Sequence, residues 1–251
     1  MIKVENISKS FGDNHVLQDV SATFYKGKVN AIIGGSGSGK SVFMKCIVGL
    51  FNPDQGNVFY EKTNFTTMDY DEKSYIRRQI GMLFQGSALF DSLSVEENIA
   101  FPLQIFTNQN AKEIKERVDF CLDKVNLGKV NDLLPSEISG GMKKRVGIAR
   151  SIVLNPKYLF VDEPNSGLDP KTAIVIDNLI KQLTEDFNTT TIVITHDMNT
   201  LFEVCDHTVF LKDGKNCWEG VPAKIRGSNN KDINEFVYAA KFIREQHAVE
   251  S

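Results

Sequence analysis

No uninterrupted apolar run in this chain approaches the length of a membrane span. Met1-Ile2-Lys3-Val4-Glu5 alternates apolar and charged residues, which predicts a strand rather than a secretory leader. The chain is therefore expected not to cross a membrane by itself, although a partner could hold it against one. Cysteine is scarce: Cys46, Cys121, Cys205 and Cys217 lie far apart and form no C-x-x-C pair. They read as reduced, mostly buried thiols in a cytosolic compartment. An excess of positive charge is also missing. The 29 Lys and Arg are outnumbered by 32 Asp and Glu, and a net charge of -3 argues against nucleic acid as the main partner. There is no internal repeat, low-complexity tract or heptad run. What remains is an ordinary globular composition, 41% hydrophobic and 24% charged, in 251 residues. That length suits one domain, or one domain with a subdomain.

The most informative stretch is Gly34-Gly35-Ser36-Gly37-Ser38-Gly39-Lys40-Ser41, which fits G-x-x-x-x-G-K-[ST] at every fixed position. Val29 to Ile33 ahead of it reads as a buried strand. Val42 to Leu50 behind it reads as a helix closed by Gly49 and Pro53. Glycines let successive N–H groups turn inward on an anion, and the helix N-terminus adds partial positive charge. Lys40 would reach the β- and γ-phosphates of a nucleoside triphosphate, and the Ser41 hydroxyl would coordinate Mg²⁺. A flexible Gly/Ser linker would not need the flanking strand and helix.

The first part of the chain is β-rich. Ile2/Val4 and Val20/Ala22/Phe24 alternate, and a strand at Asn57–Tyr60 follows the Pro53/Gly56 turn. Phe11, beside Gly12, would either stack on an adenine ring or plug the sheet edge. Gly81 to Gln85 is a short strand, and Ser94-Val95-Glu96-Glu97 is a capping box that starts a helix. Ile114, Val118, Cys121, Leu122 and Val125 recur at helical spacing. Residues 86–150 are expected to form a helical subdomain inserted in a nucleotide-binding core of residues 1–85 and 151–232. A helical tail, Ile233 to Gln246, lies in the last segment (233–251) and carries the exposed-looking Phe236, Tyr238 and Phe242. Lys157 to Glu163 and Thr191 to Thr195 read as strands, Ala173 to Leu183 as a helix, and Val209 to Trp218 as a hairpin turning at Asp213-Gly214. Strands alternating with helices predict a mixed α/β sheet covered on both faces.

A Mg²⁺-nucleotide site needs a further carboxylate, and Asp162 at a strand end can supply it. Glu163, just past that end, can swing toward the γ-phosphate and orient or deprotonate a water. Their alternative role is to polarise a strand end before Pro164. His196 would be either a capped core histidine or a polar group reaching a bound phosphate from the sheet's carboxyl edge. Gln85 is placed similarly and would sense Mg²⁺ or the attacking water. Ser139-Gly140-Gly141 opens a helix running through Val146, Ile148, Ala149, Ile152 and Val153. Beyond capping, its N–H groups offer a second phosphate cradle, which two chains meeting head to tail could close over each other's nucleotide.

With these residues in view, the sequence resembles the ATP-binding subunits of ABC transporters along nearly its whole length. Gly34–Ser41 matches the family's Walker A, Gln85 the Q-loop and Ser139-Gly140-Gly141 the signature. Asp162-Glu163 matches the end of Walker B, Ser166-Gly167-Leu168-Asp169 the D-loop, and His196 the switch histidine. Phe11 falls where the family places an adenine-stacking aromatic. The resemblance implies a single P-loop NTPase domain of the ABC ATPase type, with an N-terminal antiparallel β region, a mixed sheet core and an inserted helical subdomain. It also implies a homodimer that sandwiches two ATP molecules and drives membrane-embedded permease subunits. Met142, where many members carry glutamine, together with the run Leu83 to Val95 and Asn98 to Leu103, is similar to the Mla branch. That branch implies phospholipid cargo, the cytoplasmic face of an inner membrane, a periplasmic MCE-domain protein and a small cytoplasmic regulatory subunit. Leu89, Phe90 and Leu93 would then form a groove for a permease helix, or else a small core of the helical lobe. The rivals are an importer ATPase for a polar solute and a soluble non-transport ABC ATPase.

Overall fold

The computed structural model describes residues 1–239. A four-stranded antiparallel sheet is built from β1 (Ile2–Phe11), β2 (Asn14–Phe24), β4 (Gln55–Tyr60) and β5 (Thr63–Asn64), in the order β2-β1-β4-β5. A six-stranded sheet holds β3 (Lys28–Ile33), β6 (Ile80–Leu83), β7 (Tyr158–Asp162), β8 (Thr190–Ile194), β9 (His207–Lys212) and β10 (Lys215–Gly220). Its order is β10-β9-β3-β8-β7-β6, all parallel except the β9–β10 hairpin. That hairpin turns through Asp213 and Gly214, both with positive φ, as the expected two-residue turn requires.

The central strand β3 is buried on both faces, and its alternation divides two cores. Ala31 and Ile33 pack with the helices α3 (Val95–Phe106), α4 (Ala111–Lys124), α5 (Gly140–Ile152) and α6 (Pro170–Phe187). Ile32 faces the other way, toward α1 (Lys40–Ile47) and the antiparallel sheet, among Phe43, Ile47, Phe160 and Ile192. Each of the fully buried isoleucines and phenylalanines here contributes about 1.5–3 kcal/mol of apolar burial.

The helix ends follow local chemistry. α1 closes at Gly49 (φ 76°), where Leu50 N–H donates to Lys45 C=O at 2.8 Å. Ser94 accepts from Glu97 N–H while Glu97 accepts from Ser94 N–H, which is the expected capping box. A helix not foreseen, α2 (Tyr70–Arg77), starts with the same device at Asp69 and Glu72. Residues 231–239 are helical. Ile233 and Val237 are buried there, and the Phe236 ring lies 5.3 Å from Phe210. Phe236 is therefore not an exposed aromatic: it shares the i, i+3, i+4 face that docks on the chain's own core. Tyr238 is exposed as expected, and Phe242 lies outside the described residues with the rest of the expected tail helix.

Candidate nucleotide-binding site

The segment between β3 and α1 is a loop that only glycine can make at its tightest points. A Cβ on Gly34 would stand 2.2 Å from Leu211 C=O and 2.6 Å from Ser38 Oγ, at a φ of 154°. Gly37 (φ 76°) and Gly39 (φ 97°) are also left-handed, and Gly39 caps α1 with no side chain over the helix N-terminus. Gly35, Ser36 and Gly37 are exposed, whereas the Ser38 hydroxyl is buried with no protein partner. Lys40 Nζ arches back to donate to Gly34 C=O (2.9 Å) and Gly35 C=O (2.8 Å). Burial lowers the Lys40 pKa, while Glu163 and Asp162 pull it upward, so the amine lies within electrostatic reach of both carboxylates. Ser41 is exposed on the first turn of α1, and Val42 is half-buried against the core. Phe11 sits at the β1–β2 hairpin, 45% exposed, with its ring edge-on to Phe51 at 5.4 Å and the Lys9 ammonium 5.4 Å from its centre.

Parallel strands deliver the remaining groups to the same sheet edge. Asp162 pairs in register with Ile194, and Ile194 with Ile32, so Walker-B-like and histidine segments leave the sheet beside the glycine loop. Glu163 takes a left-handed conformation (φ 47°), and its N–H donates to Ile194 C=O at 2.9 Å. Its carboxylate meets His196 Nδ1 at 2.8–2.9 Å. The His196 side chain is 70% exposed, which removes the core-histidine reading. Burial, then the neighbouring Glu163, raises the Asp162 pKa against the pull of Lys45, Lys40 and Lys144. Gln85 is two residues past β6, and its Nε2 donates to Ser166 Oγ at 3.3 Å.

Ser41, Gln85 and Asp162 are oxygen donors of the kind a hard divalent cation takes. Among the described residues no three His, Cys, Asp or Glu side chains gather into a metal cluster of their own. Such a donor set fits Mg²⁺ held partly by phosphate and water. The buried, unpaired Ser38 hydroxyl and the glycine-lined turn fit the phosphate itself.

Ser139 caps α5, its Oγ accepting from Met142 N–H at 3.2 Å. Ser139 and Gly140 are exposed, and the neighbours of Gly140 and Gly141 are Leu168 and Thr172, not the Gly34–Ser41 loop. A Cβ on Gly141 would lie 2.6 Å from Thr172 Cγ2, so glycine allows the starts of α5 and α6 to approach. Asp169 caps α6 by accepting from Lys171 and Thr172 N–H, and it also accepts from the Thr172 hydroxyl at 2.5 Å; that hydroxyl first, then the Thr172 N–H, lowers its pKa. Of the Leu89/Phe90/Leu93 cluster, Leu89 packs on the core while Phe90 is 44% exposed, its ring 4.8 Å from Phe101.

Two features were not anticipated. Lys144, only 5% exposed, donates from Nζ to Gln85 C=O and, at 3.4 Å, to Glu163 C=O. Its signal was present: 144, 148 and 152 share one stripe of α5, and a lysine on an apolar stripe needs a buried partner. The second feature is a polar trio. Asn165 Nδ2 donates to Asp177 Oδ1 (2.9 Å) and Thr200 Oγ1 (3.0 Å), and Thr200 donates to Asp177 Oδ2 (2.9 Å). No sequence spacing announces it.

Comparison with known proteins agrees with this geometry. Residues 17–166 match the family described as ABC transporter. The chain is 40% identical over 229 residues to the methionine import ATP-binding protein MetN 4 of Oceanobacillus iheyensis, covering 90% of this chain and 66% of that protein. It is 35% identical over 237 residues to the intermembrane phospholipid transport system ATP-binding protein MlaF of Haemophilus influenzae, covering 94% of this chain and 90% of that one. The dimeric ATP-binding cassette MJ0796, in a post-hydrolysis state bound to ADP and Pi, superposes with a TM-score of 0.80 at 33% identity, covering 88% of this chain and 99% of that chain. The chain thus spans just under two thirds of MetN 4 and most of MlaF. Among the described residues no helix is long and apolar enough to cross a membrane. The glycine loop, the carboxylate pair at the strand edge and the matched family converge: this chain belongs to the ABC transporter family, as one of its ATPase cassettes.

Proposed function

We propose that the chain hydrolyses ATP in a head-to-tail homodimer and powers phospholipid transport through a membrane-embedded permease on the cytoplasmic face of an inner membrane. In this reading the Gly34–Val42 segment holds the phosphates of ATP, Phe11 packs on its adenine, and Ser139, Gly140 and Gly141 of the second copy close over the γ-phosphate. Glu163 accepts a proton from the attacking water, His196 steadies the Glu163 carboxylate, and Gln85 reports the state of the site. Ser41, Asp162 and Gln85 would hold Mg²⁺, which when bound offsets the charge on the β- and γ-phosphates. Residues 86–150 move as the lobe that carries the signature. ATP favours the closed dimer and its loss reopens it, so the cassette biases a two-state permease.

The observation that carries the hydrolytic reading is the Glu163 carboxylate, turned off the strand by a positive φ and held at 2.8–2.9 Å by His196. For the cargo, support comes from Met142 directly after Ser139-Gly140-Gly141, together with the MlaF relationship. An importer of a polar solute is the second reading, supported by the 40% identity to MetN 4. Purification of the tagged chain from detergent-solubilised membranes, with proteins and lipids identified by mass spectrometry, separates them. A multi-spanning permease with an MCE-domain protein and phospholipid is expected. A permease with a solute-binding protein would overturn the cargo, and recovery of no membrane protein would overturn transport altogether.

A further inference from the structure

The signature helix and the catalytic loops of one chain are joined through a buried cation. Lys144 lies on α5 four residues after Gly140, about 6 Å along the axis. Its ammonium is inside the protein, bonded to the main-chain carbonyls of Gln85 and Glu163. These two loops also touch each other, Gln85 Nε2 donating to Ser166 Oγ. A buried ammonium without partners is costly, so the helix, the Gln85 loop and the Glu163 loop must keep a common geometry for the charge to stay satisfied. Main-chain carbonyls are gripped rather than side chains, so the lysine acts on where the loops lie and leaves the Gln85 and Glu163 side chains to their own partners, Ser166 and His196.

We infer that Lys144 is a positioning residue that couples the Ser139–Gly141 cradle, which closes on the nucleotide of the second copy, to the Gln85 and Glu163 loops of its own site. This rests on the proposed roles of Glu163 and of the head-to-tail dimer. Closure at the exposed end of α5 would then shift Lys144 and, with it, both carbonyls. Each chain would thereby set its own catalytic carboxylate according to whether its cradle is engaged at the neighbouring site.

The test uses the full chain with Lys144→Met, Lys144→Arg and Lys144→Gln. Binding of ATP, steady-state hydrolysis and amide hydrogen exchange over residues 85–88 and 163–166 are measured. Lys144→Met keeps the stem but removes the charge. It should bind ATP within about threefold of the parent, lose at least tenfold in kcat and exchange faster in both segments. Lys144→Arg should return kcat to within about threefold, because a second cation can reach the same carbonyls. Hydrolysis within threefold of the parent and unchanged exchange in Lys144→Met would overturn the inference. So would a Lys144→Arg chain as impaired as Lys144→Met, since restoring the cation would then restore nothing. If Lys144→Met does not fold, Lys144→Gln decides: a tenfold loss in kcat with ATP binding kept supports the coupling, and parental kcat overturns it. Glu163→Gln is measured in parallel. Persistent hydrolysis there would overturn the catalytic reading itself, whereas an inactive Glu163→Gln beside an active Lys144→Met would sink only the role of Lys144.

Discussion

Asn98 offers a quantitative test of how the segment after Gln85 is held. The residue is fully buried at the start of α3, and its amide closes the 90–94 loop. Oδ1 accepts from Phe90 N–H at 2.8 Å, and Nδ2 donates to the carbonyls of Phe90 (3.1 Å), Leu93 (3.0 Å) and Ser94 (3.0 Å). The amide has two hydrogens for three carbonyls, so it supplies about three effective hydrogen bonds. At about 1 kcal/mol net for each, Asn98→Ala should cost about 2–4 kcal/mol, the upper part applying if Phe90 N–H stays buried and unpaired. Asn98→Leu fills the volume without restoring a bond, so it should be impaired to a similar degree. Equilibrium unfolding in urea reads the difference as a lower midpoint at constant slope. A loss below about 1 kcal/mol in both variants would show that the loop finds equivalent partners, such as water, and that Asn98 does not hold it.

Other perturbations probe the site and its surroundings. Gly34→Ala should abolish ATP binding, measured by equilibrium dialysis, and destabilise the chain by about 1–3 kcal/mol, because its Cβ has no room beside Leu211 and Ser38. Phe90→Glu, at a half-exposed ring, should release the chain from the proposed permease in co-purification while leaving its melting curve unchanged; retention on the permease would refute the docking role. Burial pushes the Cys46 and Cys121 thiols up to about 11, and Cys205 is raised further, whereas Cys217 is only partly buried. At pH 8 a thiol of pKa near 11 is about one-thousandth ionised, so alkylation of the native chain should label Cys217 first. Prior labelling of any buried cysteine would contradict the packing.

Much of this was legible because the motifs are local. The glycine loop announces itself by residue type, since Gly34 and Gly39 occupy backbone positions that side chains rarely adopt. Apolar runs such as Thr191 to Ile194 declare strands buried on both faces, and Ser94 with Glu97 declares a helix start. What escaped depends on contacts between distant segments. Asn165, Asp177 and Thr200 lie on different elements, and only the fold shows that they share hydrogen bonds. His196 left two readings open because a strand-end residue is poised between core and solvent, and one further residue of loop decides which. Phe236 went the other way, its helix face turned onto Phe210 rather than to a partner. The helix α2 was overlooked although Asp69 and Glu72 carried the same capping signal as Ser94 and Glu97, because its stripe holds a single buried apolar residue, Ile76.

The central claim is that two chains share each nucleotide. Its most direct test is the mass of a Glu163→Gln chain by light scattering, with and without ATP, alone and combined with Ser139→Arg. The account predicts an ATP-dependent dimer for Glu163→Gln. With Ser139→Arg added, the chain should remain a monomer that still binds ATP, because the arginine blocks the cradle and leaves the glycine loop intact. A doubly substituted chain that dimerises with ATP as well as its parent would contradict the shared site.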